Sequence, residues 1–464
     1  MAATIVWFRQ DLRLHDHPAL SAAVTRGAPL LLVYIVEPAG PWRPGAALRY
    51  WLHQSLAALA ADLQRHGQRL LLLHGDACAE LDKLLAASGA DALYFNRRYA
   101  PHERAVDDAL EAALSARCAV RSFNGHLLFE PAQLRTGAGT PYRVFTPYYR
   151  ACLQQPAPRT PLPAPQRWPT AGQAPEGLAL QDLALEPRIA WTAGIAARWP
   201  AGEQAAHVAL DEFIDERMRD YSRDRDRPSL LGTAGLSPYL CVGAISAHSC
   251  WHAAQQAALR ERDAGSMSAS AAWARQLVWR EFAYHLLHHY PHTPTGAFRA
   301  EWDAFPWLHD DAALRRWQRG ETGIPLVDAG MRELWHTGYM HNRVRMLVAS
   351  LLCKHLGLHW LAGARWFWDT LIDADLANNT LGWQWSAGCG ADAAPYFRIF
   401  NPLSQSQKFD PDGVYLRRWL PERAALDDQA IHDPQVSVAS YPPPMVDLAL
   451  GRQQALARYA AMPR

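Results

Sequence analysis

The chain has almost no excess charge of either sign: 46 lysines and arginines stand against 45 aspartates and glutamates over 464 residues, a formal charge of +1. A uniformly basic nucleic-acid-binding domain is excluded, so any site for a polyanion must be a local patch. Cysteine is scarce as well, and the seven that occur, an odd number without a C-x-x-C pair, fit neither a disulfide framework nor a zinc site of that spacing. Such usage suits a reducing compartment, and the cytoplasm is the expected location. No apolar run nears the roughly 20 residues that span a bilayer. Arginine and acid follow directly after Phe8, so neither a membrane span nor a signal peptide is expected. The G-x-G-x-x-G dinucleotide fingerprint is missing after the first apolar run.

What is present divides the chain in two, as its length leads one to expect. Short β-rich apolar runs at residues 4–8, 30–36, 69–74, 92–96 and 119–123 alternate with segments of helical periodicity at 48–66 and 103–114. That alternation predicts a doubly wound α/β domain with a parallel sheet over residues 1–130. Prolines recur every few residues from 156 to 175, which predicts an extended connector without a regular ladder inside an interdomain linker at 131–200. Beyond residue 200 the strand signal nearly vanishes. Segments such as 206–219, 271–289 and 344–356 carry helical periodicity, so an all-α domain is expected over 201–464.

Tryptophan is the outlier, at 19 residues. Any one of them is ordinarily a packing residue. Residues 366–402 are harder to explain by packing alone: Asp373, Asp375, Asn378, Asn379, Trp383 and Trp385 crowd into one apolar stretch. Buried acids need partners, and a planar polar cofactor would supply them.

Five motifs in order carry a resemblance that spans the chain. They are Val6-Trp-Phe-Arg-Gln-Asp-Leu-Arg-Leu14, Gly232-Thr-Ala-Gly-Leu-Ser-Pro-Tyr-Leu240, Trp279-Arg-Glu-Phe282, Gly338-Tyr-Met-His-Asn-Arg-Val-Arg-Met346 and the 366–402 block. Together they resemble the photolyase/cryptochrome family, whose helical domain holds FAD. The resemblance implies that Tyr221, Thr233 and Ser237 surround the flavin chain and phosphates, although a Gly-Thr-x-Gly-Leu-Ser turn alone reads as a helix N-cap. It pairs Arg345 with Asp373 beside the isoalloxazine and turns Asp375 to its polar edge; without the family both acids read equally as helix-terminal charges. Asn379 would sit beside flavin N5, where photolyases typically carry Asn, plant-type cryptochromes Asp and animal cryptochromes Cys. A neutral amide there argues for repair over sensing. Trp383, Trp360 and Trp307 match a tryptophan chain that passes electrons to the flavin, though spacing alone leaves a plain core role equally open.

Enzymes that act on a base within duplex DNA take it out of the stack, photolyases among them. The resemblance makes Trp279 and Trp385 the flat walls of such a pocket, Asn342 and Met346 its lining, and Arg225, Arg343 and Arg398 its phosphate or pocket arginines. Asn342 and Met346 stand where enzymes for the six-four photoproduct place a histidine pair, which favours the cyclobutane dimer; His341 alone reads as structural. Two positions depart from the pattern. Gln276 replaces a usual glutamate one turn before Trp279, and Ala234-Gly235 replaces a serine and a larger residue in the phosphate loop, where a lost charge-assisted hydrogen bond costs about 1.5–3 kcal/mol. In the N-terminal half, Glu103 resembles the carboxylate that contacts folate-type antennae, or serves as a helix first-turn acid; a second chromophore, pterin or deazaflavin, is left open. The implied protein is a monomeric enzyme that repairs cyclobutane pyrimidine dimers in UV-damaged DNA by blue-light electron transfer from reduced FAD. The rivals are a cryptochrome-like photoreceptor, against which stand Asn379 and the short stretch after the last helical segment, 450–462, and a flavoprotein that binds DNA without repairing it. Since Gln276 can still accept from a pyrimidine N–H and donate to a carbonyl but lacks charge, Gln276→Glu is expected to raise the quantum yield of dimer repair. An unchanged yield would show that the amide suffices.

Overall fold

In the computed structural model, the structure describes residues 2–37, 40–173, 175–261, 264–393, 395–396 and 398–462; Ala394 and Phe397 of the aromatic block lie outside them. Five parallel strands, β1 (Thr4–Phe8), β2 (Leu30–Val36), β3 (Leu70–His74), β4 (Ala92–Asn96) and β5 (Ala119–Phe123), pair in the order β3-β2-β1-β4-β5. Successive side chains of a strand point to opposite faces, and β1 uses both. Ile5 and Trp7 pack with Leu81 and Leu84 of the helix Ala77–Ser88 and Leu110 of the helix Pro101–Leu114. Val6 and Phe8 pack with Leu20 of the helix Pro18–Arg26 and Leu56 of the helix Ala46–Arg65, and this second core runs on into the helical half. Burial on both faces explains why the central strands read as continuous apolar runs rather than alternating ones.

The connector forms no regular ladder and lies against the sheet. β3 pairs with β2 only from Leu32 onward, and the chain at Thr170 and Gly172 takes the free place beside Leu30: Leu30 N donates to Thr170 O at 3.0 Å and Gly172 N to Leu30 O at 2.7 Å. Leu178 N then donates to Leu72 O at 2.9 Å, so the connector covers the outer edge of β3.

The second half is helical, as the periodicity implies, with local departures. The segment expected as a helix over 206–219 is a helix Glu203–Glu212 followed by a wider π turn, Phe213–Arg217, and a 3-10 turn, Met218–Asp220. The segment 344–356 is likewise a helix Asn342–Ser350 that widens into a π turn at Leu351–His355. The longest helix, Ala264–His289, lies against Ala247–Glu261 and Leu376–Ala387 and lines the site described below.

The two halves meet where the loop after β1 underlies the short helix Ser237–Val242. Leu12 N donates to Val242 O at 3.2 Å, and the buried Arg13 donates through Nη1 to Gly243 O at 2.8 Å. Gly243 has φ +73°, and a Cβ there would lie 2.0 Å from Gln10 O. Both the left-handed backbone and the close approach require glycine. Gly243→Ala is expected to destabilise the fold by about 1–3 kcal/mol, read as a lower thermal midpoint; an unchanged midpoint would show that the junction yields without cost.

Candidate functional site

Five separate stretches of the helical half enclose a cavity of about 350 Å³, a size suited to a cofactor-sized ligand. Tyr221 and Arg225 come from the first stretch, Thr233, Ala234, Gly235 and Ser237 from the second, and Gln276 and Trp279 from the long helix. Tyr339, Asn342 and Arg345 supply a fourth wall, and Asp373, Asp375 and Asn378 a fifth. Gly235, the second departure from the family loop, has φ +66°, a conformation that a larger residue adopts only with strain.

The acid turn is organised from several directions. Asp373 Oδ2 accepts from Arg345 Nη2 at 2.8 Å and from Ser237 Oγ at 2.6 Å, while Arg345 Nε donates to Met340 O at 2.7 Å. Burial alone would lower the Arg345 guanidinium, but the charge and hydrogen bond of Asp373 outweigh it and hold it above its ordinary value, so it stays a cation. Asp373 Oδ1 is buried without a partner among the described residues. Buried polar atoms are ordinarily paired, so this oxygen is an acceptor left for a ligand. Asp375 serves two purposes: its Oδ1 caps the helix Leu376–Ala387 by accepting from Asn378 N at 2.8 Å and Asn378 Nδ2 at 2.6 Å, and its Oδ2 accepts from Tyr284 Oη.

Tyr284 belongs to a buried network that motif reading did not single out. His126 Nε2 lies 2.8 Å from Tyr284 Oη and 2.6 Å from Arg280 Nη2. Burial first, then the Asp375 charge, pushes the Tyr284 phenol well above its ordinary value, so it remains a donor. Burial and the Arg280 charge push His126 well below, so its imidazole is neutral. Arg280 stood in the Trp279-Arg-Glu-Phe282 motif as a signal; nothing in the sequence marked His126, which comes from the other half.

The remaining predicted residues fall into different surroundings. Trp279 stacks on Phe145 with ring centroids 3.6 Å apart and planes 6° apart, so one face is backed and held. Gln276 Nε2 donates to Ala272 O at 3.1 Å and its Oε1 accepts from Arg225 Nη2 at 3.3 Å. Arg343 is already occupied, 2.7 Å from Asp226 Oδ2 and lying over the Phe409 ring; Arg398 is exposed. Met346 and Trp385 are half-buried and not on the cavity wall, and neither is Asn379, whose Nδ2 donates to Ala364 O at 3.0 Å. His341 caps the helix Asn342–Ser350, accepting from Arg343 N at 3.2 Å. Glu103 does not line this cavity: it is buried at the start of the Pro101–Leu114 helix, where Oε1 accepts from Gln10 at 2.9 Å and Oε2 from Ala100 N at 3.2 Å, as a first-turn acid does.

Of the three chain tryptophans, Trp383 and Trp360 are buried and Trp307 is partly exposed. His359 lies between the latter two, its ring centroid 5.2 Å from Trp307 and 5.6 Å from Trp360. On the Trp360–Thr370 helix, Gly363 admits the Trp383 ring so closely that a Cβ would fall 2.1 Å from its Cη2. Trp383 therefore packs against the helix that begins at Trp360, among Trp317 and Phe367, and Trp307 approaches Trp360 only through His359.

Comparison with known proteins adds the family. Residues 4–166 match the model described as DNA photolyase and residues 273–461 the model described as FAD binding domain of DNA photolyase. The chain is 45% identical over 481 aligned residues to the deoxyribodipyrimidine photo-lyase of Agrobacterium fabrum, covering 99% of this chain and 98% of that one. It is 36% identical to cryptochrome-2 of Arabidopsis thaliana, over 93% of this chain and 72% of the relative. A crystal structure of a bacterial class III photolyase from Agrobacterium tumefaciens superposes with a TM-score of 0.95 at 44% identity, covering 100% of this chain and 98% of that chain.

One buried acid beside the site sets a pH dependence. Glu281 accepts through Oε2 from Leu128 N at 2.8 Å and Phe129 N at 3.2 Å, and through Oε1 from Arg280 at 3.0 Å. Burial raises its carboxyl to about 7 despite Arg280 and the backbone donors. A carboxyl raised in the folded state binds a proton there that the unfolded chain has already released, so its contribution to stability is full below the unfolded value, near 4.5, and is lost as pH rises through about 7. Thermal midpoints of the native protein should fall over that window, and Glu281→Gln should flatten the fall. Parallel profiles would rule out Glu281 as the titrating group.

Proposed function

The chain belongs to the DNA photolyase/cryptochrome family, and on that premise we propose that it is a photolyase that uses blue light to split cyclobutane pyrimidine dimers in DNA. The observation that carries this reading is one cavity lined both by the Arg345–Asp373 pair and by Trp279, Gln276 and Asn342, so that a ligand held on the acid turn would face those base-pocket residues. The donor set fits FAD. When bound, reduced FAD supplies the light-excited electron that the reaction needs.

The side chains then bind, orient and exclude water. Asp373, with a free buried oxygen, and Asp375 accept from the polar edge of the ring system, while Arg345 balances their charge. Tyr221, Thr233 and Ser237 line the part of the cavity suited to the cofactor's chain and phosphates. Asn379, one residue beyond Asn378, brings a neutral amide to the same helix, in keeping with repair. Trp279, fixed from behind by Phe145, offers its other face to an extruded base; Gln276 and Asn342 reach base edges, while Trp385 and Met346, off the cavity wall, are assigned to the base pocket by the family resemblance alone. Arg225, on the cavity wall, and Arg398, exposed, would take flanking phosphates, and Arg343 would join them only by leaving Asp226. Trp383, Trp360 and Trp307 form the route by which electrons refill the cofactor. No acid, base or nucleophile is required of the protein; its contribution is position and a preorganised electrostatic field. It would act as a monomer in the cytoplasm.

A photoreceptor of the cryptochrome kind is the second reading, favoured by Gln276 and by the 36% identity to a cryptochrome. The deciding experiment illuminates the reduced flavoprotein with an oligothymidine carrying cyclobutane dimers and follows the recovery of thymine absorbance against a dark control. Many light-dependent turnovers are expected. No recovery with the flavin bound and fully reduced would overturn the repair assignment and favour the photoreceptor.

A further inference from the structure

Outside the cavity, three side chains with no part in that chemistry converge where the two halves meet. His15 lies in the loop between β1 and the helix Pro18–Arg26, while Glu203 and His207 stand one turn apart on the helix Glu203–Glu212 and so share a face. One ligand atom from each lies within 4.8 Å of the other two. His207 Nε2 is 3.9 Å from Glu203 Oε1, and the two imidazoles meet edge to face with centroids 5.4 Å apart. A tetrahedral ion with bonds of about 2.0–2.1 Å needs its ligand atoms roughly 3.3 Å apart. Closing a spread of up to 4.8 Å needs the imidazoles to turn towards Glu203, and the His207 side chain is 30% exposed.

The surroundings favour ligation over packing. Glu203 is oriented in advance, because Oε2 accepts from Leu14 N at 2.7 Å and Oε1 from His15 N at 2.8 Å; each oxygen keeps a second lone pair. Neither imidazole has a hydrogen-bond partner among the described residues, and His15 Nδ1 is buried without one.

We propose that His15, Glu203 and His207 bind one divalent transition-metal ion of the zinc class, with water as the fourth ligand. Two imidazoles and one carboxylate suit such borderline ions, whereas magnesium and calcium prefer all-oxygen sites. The ion joins the loop after β1 to the first long helix of the second half. That loop also carries Leu12 and Arg13, which bond to Val242 O and Gly243 O at the end of the helix that supplies Ser237 to the cavity. Binding to the folded state alone therefore stabilises the junction beneath the cavity.

The test is calorimetric titration of metal-stripped, flavin-loaded protein with zinc chloride, paired with thermal unfolding. One tight equivalent and a rise in midpoint that EDTA reverses are expected. His207→Gln, at a partly exposed position, should keep the flavin spectrum and far-ultraviolet circular dichroism while weakening zinc binding by more than about tenfold, and His15→Gln should do the same. His288→Gln, in the separate cluster of His285, His288 and His289, should leave binding intact. Absence of a stoichiometric equivalent, undiminished binding in both the His15 and His207 variants, or loss of binding in the His288 variant would each overturn the proposal.

Discussion

Asp373 is the point at which the walls of the cavity are tied together. Its Oδ2 receives Arg345 from the helix Asn342–Ser350 and Ser237 from the start of the helix Ser237–Val242, so three segments distant in the chain are held by one oxygen. Such a pair is expensive to assemble, because both groups leave water. Once formed it resists disruption, since removing one partner leaves an uncompensated buried charge worth about 3–5 kcal/mol. The second oxygen has no partner among the described residues and is available to accept from a ligand in the cavity.

The α/β half supports that arrangement from below. Arg13 reaches from the loop after β1 to the carbonyls of Asp16 and Gly243, and Trp51 Nε1 donates to Pro238 O at 2.9 Å, directly beside Ser237. In the other direction Glu281 of the long helix accepts from the backbone of Leu128 and Phe129. His126, two residues earlier, joins Arg280 and Tyr284 and so reaches Asp375 at the cavity. These groups that cross the boundary are paired with one another, and the two halves share one continuous apolar core. Movement of one half against the other would break buried hydrogen bonds that fix both acids.

Much of this is legible in the amino-acid sequence, for physical reasons. The strands were found because a sheet buried on both faces leaves runs such as Thr4–Phe8 and Leu30–Val36 that have no polar alternation, and the helices because one face repeats every three to four residues. The π turns at Phe213–Arg217 and Leu351–His355 were not, since a single extra residue in a turn leaves the apolar pattern nearly unchanged. Among site residues, Arg345 and Asp373 could be paired through family resemblance. Phe145, which backs Trp279, lies in the stretch read as linker, and nothing local distinguishes it from any other aromatic. Arg343 and Arg225 look alike in sequence, yet Asp226 pairs closely with the first, at 2.7 Å, and only distantly with the second, at 3.9 Å, which also donates to Gln276.

Most local elements, the order of an α/β half before a helical half, and the family motifs of a few adjacent residues each are readable along the chain. These are short-range properties: periodicity, turn chemistry and motif identity are written within one or two turns of chain. Tertiary structure alone decided which acid keeps an oxygen free, which arginine is already neutralised, which indole face is covered, and that His15 meets Glu203 and His207. Each of these depends on a partner from a distant segment, and a side chain's charge, exposure and free lone pairs are properties of its neighbours in space rather than of its neighbours in the chain.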